Sequence, residues 1–493
     1  MRKVPARKVP ARKVLVGALA GAAGVGVGCA GAGAYYLRDT DRRMRLERQG
    51  RVWRLTARRG LHYARLRIKG RAANEEERAR LEEQFAIRSA EDVAKVLGGM
   101  KGAIMKAGQM LSFIADGLPP EARAALATLQ ADVPPMAPSL AEKVIRDELG
   151  AGPDQLFLDW DPIPAAAASI GQVHRAVMPD GRIVAVKVQY PGVDKAIKSD
   201  LDNAELLYGM FASFALKNLD VKAMVDELRD RMADELDYSH EAACQEEFAA
   251  RYAGHPFIRV PRVVPERSSR RVLTSEWVDG MRWAEFLATA DQPTKDRAGE
   301  ILMRFSQGSI HQHGVFNGDP HPGNYRFHAD GSVTFLDFGL VKRWSPGELE
   351  RLGSVLDAIL DHDAETMVKR AVAVGFLPPH HGFDPEFVYE YVRGPYEPFM
   401  SERFTYTQDW TVKALQTVID VNGRYGELIK HLNMPTSYVI LDRVVWGVSA
   451  LLGRLGATNE WRSLLAEYRK GAAPTTELGR IEAEWRDGTL ARR

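Results

Sequence analysis

The chain has few cysteines, almost no net charge and no long hydrophobic run in its C-terminal part. Two cysteines in 493 residues, Cys29 and Cys244, exclude a disulfide framework and suit a reducing compartment. The formal net charge is only +2, and no RNA- or DNA-binding motif is present, which disfavours nucleic acid as a partner. The uncharged run Val444 to Gly453 is too short to cross a bilayer, so we expect a packed core helix there.

Two short motifs lie eighteen residues apart and carry the chemistry of phosphoryl transfer. Asp319 and Asn324 have the D-x4-N spacing, and Asp337 begins an Asp-Phe-Gly tripeptide. Transfer from ATP needs a carboxylate near the acceptor, an Asn carbonyl, and a second Asp that holds Mg²⁺ against the phosphates. A strand over 332–336 would run directly into the second motif. The pair predicts a kinase-type site for ATP and Mg²⁺, with Asn324 and Asp337 as metal ligands.

A lysine in a β-branched run lies upstream, in the order that such a site requires. The run from Arg182 to Val188 contains Lys187, and the turn residues Pro179 to Gly181 precede it. We therefore predict a hairpin with strands at about 171–177 and 183–188. Lys187 would contact the α- and β-phosphates if a carboxylate held it in place.

The chain lacks the glycine-rich loop that usually covers the phosphates. An alanine tetrad, Ala165 to Ala168, and Ser169 stand in its place. Four alanines in a row are more often a helix fragment, but their position before the hairpin favours a nucleotide loop. Because alanine has less backbone freedom than glycine, we expect this loop to be stiffer. The predicted nucleotide-binding residues of the loop are Ala165, Ala166, Ala167, Ala168 and Ser169.

Taken together, the motifs resemble the UbiB/AarF/ADCK family of atypical kinases over about residues 85–345, with a helical continuation to about 455. The resemblance implies an α+β, bilobal protein-kinase-like fold with a helical N-terminal extension and a mainly helical C-lobe. The segments that carry it include Lys106-Ala-Gly-Gln109, Ala-Ser-Ile-Gly-Gln-Val-His, Val-Lys187-Val-Gln-Tyr-Pro-Gly, Glu235-Leu-Asp237-Tyr-Ser-His-Glu241-Ala, Glu276-Trp-Val-Asp-Gly280 and the two motifs at Asp319 and Asp337.

The family pattern also implies roles for single residues. Glu241 would pair with Lys187, and Glu235 would face Lys106 and Gln109 in an element that folds across the cleft. Glu276 to Val278 would be the hinge that binds adenine through its backbone, and Asp319 would orient or deprotonate the acceptor. From the residues themselves, apolar spacing predicts one long helix over 226–247. In that helix Glu235 and Glu241 would point about 120° apart and serve different lysines.

Two positions depart from the family pattern, and one cluster suggests a different chemistry. Asn317 stands where His is more common, and Gly171 replaces an alanine and is expected to loosen the loop slightly. Neither change removes a ligand, so we interpret the site as intact. His311, His313 and His321 invite a zinc interpretation, but a metal site needs convergent geometry and usually a carboxylate or Cys partner, and polar caps before a catalytic loop are ordinary.

The N-terminus is basic and then uncharged. Residues 1–13 carry six basic side chains, and residues 14–36 are 23 uncharged residues with seven glycines. The segment is long enough to span a bilayer but weakly hydrophobic; a cleaved signal or a disordered tail are the alternatives. Residues 38–71 hold twelve arginines and one lysine against three acids, which attracts anionic lipid. We favour attachment to the cytoplasmic face of a membrane and expect this to be a bacterial inner membrane.

The remaining chain is predicted to be helical after residue 345 and loosely ordered from Lys470 onward. The predicted regions are 1–37 (basic N-terminus and membrane segment), 38–155 (basic linker and helical extension), 156–278 (N-lobe), 279–470 (C-lobe) and 471–493 (tail).

The resemblance implies a membrane-associated kinase or ATPase that supports prenylquinone or other isoprenoid-lipid metabolism. Its expected partners are anionic membrane lipid, a lipid or quinone intermediate, and other quinone-biosynthesis proteins. A small-molecule or lipid kinase and a nucleotide-switched scaffold remain the alternatives. Intact Asp319, Asn324 and Asp337 argue against the scaffold.

Overall fold

The protein is an α+β chain in which a small antiparallel sheet is followed by a larger, mainly helical region. The computed structural model describes residues 136–168, 170–194, 236–420, 423–433 and 435–488. All of them belong to one compact unit.

The antiparallel sheet has five strands in the order β1-β3-β4-β6, with β2 paired to the other end of β3. The predicted hairpin is confirmed: its strands are β3 and β4, and the turn uses Gly181 at a φ of 86°. The strand bounds are β1 Asp159–Trp160, β2 Ala166–Ala167, β3 Gly171–Val177, β4 Ile183–Gln189 and β6 Val272–Glu276.

Strand β4 alternates between two environments, and this alternation sets the direction of Lys187. Val184, Val186 and Val188 are fully buried against helix α1 (Pro138–Leu149). Burying one such side chain contributes about 1.5–3 kcal/mol relative to exposure. Because side chains alternate along a strand, this packing turns Lys187 to the opposite face of the sheet.

Helix α3 (Tyr238–Arg251) carries Glu241, and its start corrects one prediction. Asp237 has an extended backbone (φ −120°, ψ 93°) and caps the helix by accepting a hydrogen bond from the Ser239 N–H. The prediction of one unbroken helix over 226–247 is therefore wrong. A side-chain cap from Asp satisfies a free N–H at a helix start, and this local preference overrides the apolar spacing. The 120° argument for Glu235 and Glu241 does not apply.

The larger region contains short strands near the cleft and helices around one core. The strand predicted to precede Asp337 is confirmed as β9, at the centre of the sheet β5-β9-β8. The strands are β5 Ile258–Arg259, β7 Val315–Asn317, β8 Tyr325–Phe327, β9 Val333–Phe335, β10 Val341–Arg343, β11 Phe404–Thr405 and β12 Thr458–Asn459. The helices, after the short α2 (Pro153–Leu156), are α4 Trp283–Thr289, α5 Gln292–Gly308, α6 Glu348–Leu360, α7 Ala364–Ala373, α8 Pro385–Val392, α9 Gln408–Ile419, α10 Gly426–His431, α11 Thr436–Leu455, α12 Trp461–Lys470 and α13 Glu477–Arg486. A π-helical turn, Ser309–His313, continues α5.

Aromatic side chains join α3 to the segment that follows β9. Phe338, the middle residue of the Asp-Phe-Gly motif, is fully buried with its ring centroid 4.8 Å from that of Phe248 in α3. Phe305 of α5 stacks on Phe335 of β9 at 3.7 Å. Such contacts add about 0.5–1.5 kcal/mol beyond area burial. They fix Asp337 relative to the helix that carries Glu241.

The C-terminal segment was expected to be loosely ordered, and this expectation is wrong. Helix α13 is held by Arg304, a fully buried residue of α5. The Arg304 guanidinium donates to Glu467 of α12 at 2.8 Å and to Glu482 of α13 at 2.9 Å. A buried arginine with charged acceptors on separate helices orders the tail, and no local pattern in the tail reports it.

The membrane predictions fall mostly outside the described part of the chain. Residues 14–36 and 38–71 lie there, as does most of the region 38–155 predicted to be a basic linker and helical extension; its described part, from residue 136, contains α1 and most of α2. Within the described ranges, no helix combines the length and hydrophobicity that a bilayer span requires. Helix α11 packs as predicted, with Ile440, Val444 and Leu452 in the main core.

Candidate nucleotide and phosphoryl-transfer site

The alanine-rich segment is a strand and turn that extends the edge of the antiparallel sheet, not a helix. Ala166 and Ala167 form β2, which pairs with Val173 and Gln172 of β3. The Ala168 N–H donates to the Gly171 carbonyl at 2.9 Å and closes the turn. Ser169 lies outside the described residues. Ala165 to Ala168 are therefore non-helical, and their predicted contact with the nucleotide stays a prediction.

Gly171, which we expected to loosen this loop, is required by close packing. A Cβ added there would lie 2.3 Å from the Val188 carbonyl oxygen and 2.9 Å from the Tyr238 hydroxyl. Real Cβ atoms do not approach a backbone oxygen so closely. The glycine thus allows β3, β4 and the start of α3 to converge beside Lys187.

Lys187 lies between two carboxylates. Its Nζ is 2.6 and 2.9 Å from the two carboxylate oxygens of Glu241 and 3.7 Å from Asp337 Oδ2. Burial alone lowers the pKa of Lys187, but Glu241 and Asp337 outweigh it and hold the pKa well above its ordinary value. The lysine is therefore a fixed cation, and the predicted pairing with Glu241 is present in the geometry.

Tyr238 is a neighbour of this cation that the sequence reasoning did not single out. Lys187 Nζ lies 4.9 Å from the centroid of the Tyr238 ring, which is almost fully buried. An aromatic face attracts an ammonium group by about 0.5–2 kcal/mol, more where water is excluded. The position of Tyr238 three residues before Glu241 was a usable signal, because residues three apart share one side of a helix.

The catalytic loop is tied to the Asp-Phe-Gly segment by Asn317. Its side-chain oxygen accepts from the Asp319 N–H at 2.8 Å, and its amide donates to the Asp337 carbonyl. Close by, the Gly318 N–H donates to the Leu340 carbonyl at 2.7 Å. Asn317 thus supports both motifs, as expected of the residue at this position.

Asn324 and Asp337 are brought near each other through the backbone. The Leu336 N–H donates to the Asn324 carbonyl at 3.0 Å, which places the residue before Asp337 against Asn324. The Asn324 amide nitrogen donates to Asp319 Oδ2 at 3.2 Å, which turns its side-chain oxygen away from that carboxylate. Asp337 Oδ1 accepts from the Gly339 N–H at 3.0 Å. One amide oxygen and one carboxylate are the oxygen ligands that Mg²⁺ accepts beside phosphates and water, so these residues fit the ion.

Arg443 of α11 is the main site residue that sequence reasoning missed. Its Nη2 forms an ion pair with Asp319 Oδ1, and each side chain is 11% exposed. Its Nη1 is buried without a hydrogen-bond partner in the described part of the chain. The available signal was a charged pair, Asp442-Arg443, within an otherwise apolar helix, since buried charges in such helices need partners.

The proposed hinge leaves a backbone edge available. Glu276 ends β6, and the Trp277 N–H donates to the Ile183 carbonyl at 3.0 Å. Val278 lies beyond the strand and makes no backbone hydrogen bond to another described residue. Its N–H and C=O can therefore serve a flat base. The Glu276 carboxylate accepts from the Arg262 N–H at 2.9 Å, which gives this side chain a structural task.

The three histidines near the catalytic loop have separate surroundings. His321 Nδ1 accepts from the Gly323 N–H at 3.1 Å and caps the turn before Asn324. His311 and His313 belong to the π-helical turn, and burial lowers the pKa of both, that of His311 to about 3. Among the residues that the structure describes, no three His, Cys, Asp or Glu side chains are grouped for a metal. Lys106, Gln109 and Glu235 lie outside the described residues, so their predicted pairing stays a prediction.

Comparison with known proteins shows which family the chain resembles. Residues 128–371 match the model of the ABC1 atypical kinase-like domain. An uncharacterized, chloroplastic aarF domain-containing protein kinase of Arabidopsis thaliana is 33% identical over 61% of this chain and 42% of its own length. The chloroplastic activity of bc1 complex kinase 3 of the same plant is 30% identical over 76% of this chain and 52% of its own.

This chain thus spans about half the length of these curated relatives. A solved structure, Rv3197 of Mycobacterium tuberculosis in complex with erythromycin, matches with a TM-score of 0.58 and 32% identity. The match covers 80% of this chain and 98% of that one.

Proposed function

Because the chain belongs to the ABC1 atypical kinase-like family, the group whose UbiB/AarF/ADCK motifs it carries, we propose that it binds Mg-ATP and cleaves the γ-phosphoryl bond. At the coarse level the family supports an enzyme of the kinase or ATPase type that uses ATP and a divalent metal. The finer assignment is that Lys187 contacts the phosphates and Glu241 positions it. Asp319 then orients water or an acceptor hydroxyl, and adenine binds at Val278.

The observation that carries this proposal is the arrangement of Glu241, Lys187 and Asp337. Lys187 lies 2.6 Å from Glu241 and 3.7 Å from Asp337, which leaves it poised between a positioning carboxylate and a metal ligand. Phosphoryl transfer depends mostly on positioning and charge stabilisation, and a fixed cation beside a metal-binding carboxylate supplies both. A decayed site would have lost one of these three charges.

The metal would be held by Asn324 and Asp337. When bound, Mg²⁺ would neutralise charge on the phosphate oxygens. The chain's own residues do the rest: Asn317 fixes the Asp319 backbone, and Arg443 holds one oxygen of the Asp319 carboxylate. The second carboxylate oxygen faces the Asn324 amide at 3.2 Å, a long contact that an incoming hydroxyl can replace.

For the cellular role, we propose support of prenylquinone or other isoprenoid-lipid metabolism at a membrane. The motif resemblance and the basic stretch at 38–71 support this assignment. Attachment through residues 14–36 would place the catalytic residues at the cytoplasmic face of a bacterial inner membrane. Anionic lipid, a quinone intermediate and other quinone-biosynthesis proteins are the proposed partners.

The alternatives differ in what receives the phosphoryl group. A small-molecule or lipid kinase would yield a phosphorylated product, and a nucleotide-switched scaffold would yield none. Because the Mycobacterium relative was solved with erythromycin, a site for a bulky apolar ligand is a further candidate. A rise in unfolding temperature on adding erythromycin would favour it.

The test is phosphate release from Mg-ATP by the full chain, with and without cardiolipin-containing liposomes. The variant Asp337→Asn should abolish release, because it removes one charge of the metal-binding pair. The matched control is Asp330→Asn, a surface aspartate that pairs with Arg259 outside the site.

Lipid-stimulated release that is lost only in Asp337→Asn would support a membrane-coupled ATPase. Release of a phosphorylated acceptor in place of free phosphate would identify a kinase. Nucleotide binding with neither product under any lipid condition would contradict the catalytic proposal and leave the scaffold.

A further inference from the structure

Two arginines lie along the cleft between the proposed hinge and the proposed metal ligands. Arg282 follows Val278 by four residues and precedes α4. Its Nη2 donates to the Ala165 carbonyl in the alanine-rich segment at 3.3 Å. The exposed guanidinium of Arg282 therefore connects the chain beyond the hinge to the segment expected to cover the nucleotide.

Arg326 approaches the same space from the strand that follows Asn324. In β8, Tyr325 and Phe327 are buried in the core, so Arg326 points to the opposite face. Its Nη1 folds back and donates to the carbonyls of Tyr325 at 2.8 Å and Gly323 at 3.4 Å. These carbonyls flank Asn324, so the cation lies beside a proposed metal ligand.

The chain that follows the proposed hinge pairs with β8, which makes the two arginines neighbours. Met281, next to Arg282, exchanges two backbone hydrogen bonds with Phe327, next to Arg326, at 2.9 and 3.0 Å. Like charges on residues that neighbour each other across such a bridge are unfavourable.

Neither cation is neutralised within the described part of the chain. In the described structure, the side-chain hydrogen bonds of Arg282 and Arg326 are all with backbone carbonyls. Two neighbouring guanidinium groups, one of them half-buried, create a positive site that attracts an anion able to contact both. Guanidinium groups bind phosphate oxygens with two parallel hydrogen bonds, which makes phosphate a fitting anion.

We propose that Arg282 and Arg326 form a second anion subsite, which binds a phosphate group on the ribose of the nucleotide. The inference rests on the proposed function, because it takes adenine at Val278 and the phosphate chain at Lys187. A ribose must then lie between the hinge and Asn324, which is where the two arginines converge. The preferred ligand class is an adenine nucleotide that carries a phosphate at the 2′ or 3′ position.

The test compares matched ligands on the full chain by calorimetric competition against ADP. AMP, adenosine 2′,5′-bisphosphate and adenosine 3′,5′-bisphosphate differ only in the ribose phosphate. We expect one bisphosphate to bind at least about tenfold more tightly than AMP, since a charge-assisted hydrogen bond contributes about 1.5–3 kcal/mol. Arg282→Met and Arg326→Met should each bring the ratio of the AMP Kd to the bisphosphate Kd close to one, a ratio measured within each variant and so independent of any change in AMP binding itself. Arg282→Lys should keep part of the advantage.

The control variant is Arg403→Met, which removes an exposed arginine without an ion pair among the described residues. It should leave the advantage intact. Equal binding of AMP and both bisphosphates, or an advantage that survives both Arg282→Met and Arg326→Met, would overturn the inference. So would an improvement of AMP binding by free inorganic phosphate without any bisphosphate preference, because the anion would then come from a separate molecule. ADP binding without a bisphosphate preference refutes this inference alone, whereas absence of all nucleotide binding refutes the proposed function as well.

Discussion

Replacing Arg443 by methionine is expected to destabilise the protein by about 3 kcal/mol. Methionine keeps most of the side-chain length and loses the ion pair with Asp319, in which each side chain is 11% exposed. Removing one member of a largely buried pair generally costs about 3–5 kcal/mol, because the other charge remains without its counterion. Arg443 Nη1 has no partner in the described structure, and losing this buried group offsets part of the cost. The expectation is therefore at the lower end of the range.

The expected loss of stability is large enough to be measured as a shift in the midpoint of thermal unfolding. For a region of 150–250 residues, 1 kcal/mol corresponds to roughly 2–4 °C in the unfolding midpoint, so we expect a fall of roughly 6–12 °C. Arg454→Met is the matched control on the same helix. Arg454 stacks 5.4 Å from the Trp283 ring, an interaction of about 0.5–1 kcal/mol, so its loss should lower the midpoint much less.

A double-mutant cycle with Asp319→Asn isolates the pair. Asparagine keeps the shape of aspartate and removes its charge, so Arg443→Met should cost less in that background. We expect a coupling energy of about 1–3 kcal/mol. A coupling energy below about 0.5 kcal/mol would refute the reasoning, because the two side chains would then be stabilised independently.

Three further predictions concern other parts of the molecule. Arg304→Met should lower the free energy of unfolding by about 3–5 kcal/mol and release helix α13, because Glu482 would remain buried without its cation. Amide hydrogen exchange over residues 477–486 should become faster, and unchanged exchange would contradict this prediction. Gly171→Ala should lower the free energy of unfolding by about 1–3 kcal/mol and weaken ADP binding, because its Cβ would lie 2.3 Å from the Val188 carbonyl oxygen. An unchanged unfolding midpoint together with an unchanged calorimetric Kd for ADP would contradict this. Burial lowers the pKa of His311 from 6.5 to about 3, so the folded state resists a proton that the unfolded state accepts. The free energy of unfolding is therefore at its full value above pH 6.5 and falls by up to about 1.4 kcal/mol per pH unit below it. His311→Gln should flatten this slope in denaturant titrations between pH 7 and pH 5.

Local patterns predicted the strands near the site well. The hairpin that carries Lys187 and the strand before Asp337 were located almost to the residue. Their β-branched alternation and turn residues act over a few positions, so the sequence contains the whole signal. The alanine tetrad was also assigned correctly as non-helical, because the pairing of β2 with β3 outweighs the helix propensity of alanine.

Predictions failed where a helix-capping preference competed with the apolar spacing, or where a residue distant in sequence determined whether a segment is ordered. Apolar spacing suggested a helix through Asp237, but a side-chain cap starts the helix one residue later. The tail after Lys470 looked polar and weakly patterned. It is ordered by Arg304, and an ion pair with a residue of another helix leaves no mark in the tail's own composition.

The sequence by itself determined the order of the chemical motifs, the strands that present them and the family to which the chain belongs. The tertiary structure determined which charged side chains contact each other. Lys187 and Glu241 are 54 residues apart, Asp319 and Arg443 are 124 apart, and Arg304 and Glu482 are 178 apart. Contacts over such separations form only when packed elements bring the chain together, because chain-closure entropy must first be offset by burial elsewhere. For this reason the motifs predict a kinase-type site, and only the packing shows that Arg443 contacts Asp319 and that the residues next to Arg282 and Arg326 are hydrogen-bonded to each other.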